Sequence, residues 1–123
     1  MIKKVDHLVI TTENMDACLS FYEQIGFSWA KNGERYELFA GDFKINVHQK
    51  GKELTPKASH VQSGSVDFCL EITDDPERLK EDYMSRKIPI ECGVVKRNGV
   101  RGSMRSLYLR DPDGNLIELC QYE

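Results

Sequence analysis

The order of elements in the first half of the chain recurs in the second, and this repeat limits the possible folds more than any single motif. Residues 5–12, VDHLVITT, alternate apolar and polar side chains at the period of two expected of a strand. Asn14 suits a helix N-cap, and Met15, Leu19, Tyr22 and Ile25 recur at helical spacing until Gly26 ends the run. Two strand-like pieces follow, Arg35–Ala40 and Phe43–Gln49, parted by the turn pair Gly41-Asp42. The second half opens on another alternating segment, SVDFCLEI at 65–72. Asp74, Asp75 and Pro76 then start a helix carrying Leu79, Tyr83 and Met84 on one face. Strand-like pieces near 89–95, at 106–110 and at 116–121 complete it, the last two joined by the turn DPDGN. The prediction is an α+β fold of two βαβββ modules, their curved mixed sheets around a cup-shaped cleft. Module one is residues 1–50, the linker 51–63 is rich in Lys, Ser, Gly and Pro, and module two is 64–123, all within one domain at 1–123.

Composition narrows the function classes. The chain is 40% hydrophobic, enough for a core without covalent staples. No apolar run approaches the roughly 20 residues that cross a bilayer, and residues 1–12 lack the apolar core of a signal peptide. A cytoplasmic location and no membrane partner are therefore expected. Cys18, Cys69, Cys92 and Cys120 are scattered, which predicts free thiols rather than a disulfide framework. The net charge of −3 and the lack of a basic stripe argue against nucleic acid as a partner. The run at 96–101, KRNGVR, reads as a solvated loop, and Arg101 and Arg105 are expected in mobile loop structure.

Alternation also sorts side chains by sheet face. His7, Val9 and Thr11 share one face, opposite Leu8 and Ile10. Lys44, Asn46 and His48 stand opposite Phe43, Ile45 and Val47. Asp67, Cys69 and Glu71 oppose Phe68, Leu70 and Ile72. Ser106, Tyr108 and Arg110 oppose Leu107 and Leu109, and Leu116, Glu118 and Cys120 oppose Ile117 and Leu119. A merely solvated sheet face shows the same alternation. Such a face is usually built of Lys, Glu, Thr and Ser, however, whereas this one carries His7, Asn46, His48, Asp67 and Glu118. Imidazole and carboxylate groups of this kind suit Zn, Ni, Mn, Fe or Co.

The segments VDHLVITTENMDACLSFYEQIGF and SLYLRDPDGNLIEL resemble the vicinal oxygen chelate superfamily of glyoxalases, bleomycin-resistance proteins and extradiol dioxygenases. The stretch FKINVHQKGKELTPKA, followed by GSVDFCLEI, is similar to the glyoxalase domain-containing protein 5 group and its bacterial relatives. The resemblance implies ligand places on the first and last strands of each half. His7 and Glu118 match two of them. Asp67 takes a place that often holds His. Asn46 aligns with the remaining place, and His48, a stronger donor, lies two residues on along the same face. The implied metal set is His7, His48, Asp67 and Glu118 around a divalent ion, with Asn46, Ser106 and Tyr108 against substrate.

The activity implied is that of a glyoxalase-like lyase or isomerase on a small oxygen-chelating carbonyl compound. There the ion is a Lewis acid and Glu118 moves a proton. Two alternatives accompany it: a binding protein of the bleomycin-resistance type that sequesters a small molecule, and a fosfomycin-type thiol transferase. A homodimer is the assembly implied.

Overall fold

Asn14 turns β1 (His7–Thr12) into α1 (Met15–Gln24): its side-chain oxygen accepts the Ala17 amide at 3.1 Å and satisfies one free helix donor. Strands β2 (Ser28–Asn32), β3 (Arg35–Ala40) and β4 (Phe43–Gln49) follow. They join β1 in a sheet of order β1-β4-β3-β2, with β1 parallel to β4 and the other pairs antiparallel. The second half repeats this plan. β5 (Asp67–Glu71), α2 (Pro76–Ser85), β6 (Cys92–Gly99), β7 (Gly102–Arg110) and β8 (Leu116–Tyr122) give the sheet order β5-β8-β7-β6, with β5 parallel to β8. This is a computed structural model, and it describes all 123 residues. The expected α+β class holds, as two four-stranded mixed sheets each from a βαβββ run. No helix is long and apolar enough to cross a membrane.

Three local expectations are corrected. β2 is a full strand that pattern reading does not single out; all five of its residues are exposed, so it has no apolar alternation to show. Residues 96–99 are not loop but the end of β6, paired with β7 as a hairpin. Arg105 is likewise in β7, not in a mobile loop; it donates to Asp75 at 3.0 Å and to Glu77 at 3.0 Å. Asp75 occupies the N-cap of α2, and its carboxylate pairs with Arg105.

The contacts divide the chain into two compact units. Unit one is Met1–Val66 with Asp111–Gly114; unit two is Asp67–Arg110 with Asn115–Glu123. The 51–63 linker thus packs as part of unit one. In unit one, Cys18, Leu19 and Tyr22 of α1 are buried, as are Ile10, Leu38, Ile45 and Val47 of the sheet. Unit two buries Tyr83 of α2 with Leu107, Leu109, Ile117 and Leu119. Each such aliphatic side chain contributes about 1.5–3 kcal/mol when fully withdrawn from water.

The turn at 111–114 lies between β7 and β8 but packs within unit one. The Tyr22 hydroxyl donates to Asp111 at 2.6 Å. Thr12 Oγ1 and the Glu13 amide donate to Asp113 at 2.6 and 2.9 Å. Burial, and then the Asp111 charge, push the Tyr22 phenol far above its ordinary range, so it stays a donor. Gly64 lets the turn come this close: its φ is +77°, and a Cβ there would lie 2.2 Å from the Asp113 carbonyl oxygen.

Candidate functional site

Strand pairing decides which polar side chains are neighbours. In unit one His7 pairs with Lys44, Val9 with Asn46 and Thr11 with His48. In unit two Asp67 pairs with Leu116, Cys69 with Glu118 and Glu71 with Cys120. The two ladders match position by position. His7 corresponds to Asp67, Asn46 to Glu118 and His48 to Cys120. Each unit therefore presents one diagonal polar pair on its sheet face, His7 with Asn46 and Asp67 with Glu118.

This register separates two residues that the sequence reading put together. His48 stands beside Thr11, four positions along from the His7–Lys44 pair. At about 3.3 Å per residue that is about 13 Å, too far for two imidazoles standing upright on a sheet to share one ion. The residue diagonal to His7 is Asn46. His48 is the stronger donor, but the ladder sets the Asn46 amide nearer to His7.

The surroundings of the corresponding residues differ. Asn46 is 5% exposed, and its Oδ1 has no hydrogen-bond partner. The reason is local. Val9 on one side is apolar, and Glu37 on the other is an acceptor held by the Lys44 ammonium. Glu118 is well supplied: fully buried Ser106 donates to its Oε2 at 2.6 Å. The Tyr108 hydroxyl and the Cys69 thiol also meet it. The Tyr108 phenol is raised by burial, with the Glu118 charge adding to this, while a hydrogen bond from Arg97 at 3.0 Å works the other way. The Cys69 thiol is raised far above its ordinary range, first by burial and then by Cys120 and Glu118. It is therefore a poor nucleophile at neutral pH.

His7 is exposed, with Nδ1 2.8 Å from Asp6. Asp67 is exposed at the start of β5. His48 is partly buried; burial, then the Arg35 charge, hold its imidazole below the ordinary value, with Glu53 opposing. Glu37 and Arg97 were missed as members of these faces. Alternation within RYELFA places Glu37 in phase with Arg35, but only the β3–β4 pairing sets it against Asn46.

Two βαβββ units of one topology, with matched polar pairs on equivalent strands, define a duplicated α+β protein of the vicinal oxygen chelate type. The chain belongs to the Glyoxalase/Bleomycin resistance protein/Dioxygenase superfamily, whose family model matches residues 4–119. It is 44% identical to glyoxalase domain-containing protein RDO1 of Mycosarcoma maydis, over 99% of this chain and 70% of that protein. It is 42% identical to virulence protein STM3117 of Salmonella typhimurium, over 99% of this chain and 86% of that one. The crystal structure of STM3117 superposes with a TM-score of 0.97, covering 100% of this chain and 99% of the other. A lactoylglutathione lyase from Agrobacterium tumefaciens, 20% identical, shares the fold with a TM-score of 0.74 over 98% and 95% of the two chains.

Superfamily members commonly use a divalent ion. The donors of neither unit fit one. No group of three or more His, Cys, Asp or Glu side chains is placed to hold a metal. Unit one offers the His7 imidazole and a weakly ligating amide, and unit two offers two carboxylates. A zinc-like site needs three or four strong donors at about 2.0–2.2 Å.

Proposed function

We propose that this chain is a glyoxalase-type lyase or isomerase acting on a small compound with neighbouring oxygen functions, with Glu118 as the group that moves the proton. The observation that carries this reading is the setting of Glu118. It is a carboxylate on the polar face of β8, fixed by the buried Ser106 hydroxyl at 2.6 Å and beside the Tyr108 hydroxyl. A positioned carboxylate of this kind takes a proton from carbon or oxygen and returns it, and such transfer contributes about 10²–10⁴-fold to rate. Ser106 and Tyr108 orient the carboxylate and stand where substrate oxygens are expected. Asn46 supplies a buried acceptor for a substrate hydroxyl.

The test is turnover of a panel of small α-hydroxy- and α-keto-carbonyl compounds by the parent and by Glu118→Gln. The expected result is a loss of about 100-fold in kcat with the fold retained. Equal turnover by both proteins would remove Glu118 from the chemistry.

A second reading has its own support. The lack of a three-donor group and the unpartnered Asn46 oxygen favour a protein that binds and sequesters a small molecule without transforming it. Tight binding from the same panel, with no product from the parent at any added divalent ion, decides for this reading.

A further inference from the structure

Unit one contains a cavity of about 470 Å³ whose walls are β1, the end of β4 and the connection that follows β4. That volume is within the usual range of small-molecule pockets. The sheet contributes Val9, Thr11 and His48; the connection contributes Pro56, Lys57, His60 and Val61. Val9 helps to explain why the cavity is there. It is an apolar residue on an otherwise polar face and remains 45% exposed, although its neighbour Asn46 is buried.

The polar groups are biased toward donors. Lys57 holds no salt bridge, and His48 and His60 add two imidazoles. The acidic residue in the wall, Glu53, accepts the Gly51 amide on both carboxylate oxygens at 2.8 and 3.2 Å, and its charge also faces Lys57 and His48 without forming a salt bridge to either. An occupant therefore meets an apolar slot between Val9, Pro56 and Val61 and, beside Glu53, an ammonium at Lys57 that no salt bridge ties down. We infer that this cavity binds a small organic carboxylate, its apolar body between Val9 and Val61 and its anionic head at Lys57 and His60. The inference rests on unit one alone and does not depend on chemistry at Glu118.

Titration calorimetry on the full chain, with 4-phenylbutyrate and its neutral counterpart 4-phenylbutan-1-ol, tests it. The carboxylate is expected to bind about tenfold tighter than the alcohol. Lys57→Met keeps the apolar stem and is expected to abolish that preference while changing alcohol binding by less than about twofold. Val61→Trp fills the slot and is expected to weaken both probes by at least about tenfold. Thermal melting of each variant verifies the fold, and His60→Gln, a milder change at the same end, stands in for any variant that does not fold. The inference is overturned if neither probe saturates by about 10 mM. It is equally overturned if the carboxylate preference survives Lys57→Met and His60→Gln, or if Val61→Trp binds both probes as the parent does.

Discussion

Unit one places Asn46 where unit two places Glu118, and the two positions have opposite hydrogen-bond status. The Glu118 carboxyl is surrounded by donors: Ser106, Tyr108 and Cys69. Asn46 is neutral and buried between Val9 and Glu37, neither of which has a proton to give. The backbone plan is the same, so the difference lies in the partners on neighbouring strands. A repeated unit can thus keep one position complete in itself and leave its counterpart without a hydrogen-bond partner.

The largest expected contrast between the units is in stability. Asp111→Ala removes the acceptor of the buried Tyr22 hydroxyl and loosens the turn that holds Thr12. It is expected to lower unfolding free energy by about 3 kcal/mol, read from urea denaturation. Arg105→Met, which cuts two partly exposed ion pairs in unit two, is expected to lose less than about 1 kcal/mol. Equal losses would remove the asymmetry.

The next contrast is one of sign at the corresponding positions. Ser106→Ala strips Glu118 of its buried donor and is expected to destabilise by about 1.5 kcal/mol. Asn46→Leu replaces an unsatisfied buried amide by an apolar group of similar size and is expected to stabilise by about 1 kcal/mol. Destabilisation by Asn46→Leu would mean that the amide already has a partner in solution.

The smallest effect is in pH. Lys44 holds the Glu37 carboxyl below its ordinary value, chiefly through their hydrogen bond. A depressed carboxylate contributes stability above its unfolded pKa and loses it as pH falls through the lower folded value. Stability should therefore fall as pH drops below 4.5, the ordinary value for Glu37, and Lys44→Met should flatten that part of the profile. An unchanged slope in urea midpoints would show that the pair contributes nothing measurable.

Much of the fold is legible in the sequence because its signals are local. The Asn14 cap, the two helices and the alternation of β1, β4, β5, β7 and β8 all lie within short windows. β2 escapes because every residue is exposed and no periodicity marks it. At the site, the residue types could be read but their neighbours could not. His48 and Asn46 share a face, and only the offset of β1 against β4, a contact across more than thirty residues, shows which is diagonal to His7. The DPDG turn could be read as a turn. Its hold on Tyr22 and Thr12 spans 89 and 101 residues and leaves no local trace.

That turn also sets an order of events during synthesis. A chain is made from its N-terminus, and domains tend to fold as they emerge. Unit one has most of its residues within the first 66, yet Tyr22 and Thr12 obtain their carboxylate partners only from Asp111 and Asp113. The first-made half therefore spends most of translation with the Tyr22 phenol lacking its acceptor and the Thr12 hydroxyl bonded only to the Asn14 backbone. It reaches its final hydrogen bonding only after nearly all of the second half has been made. Nascent chains halted before residue 111 should accordingly be cleaved by protease within the first 66 residues more readily than chains that extend through Gly114.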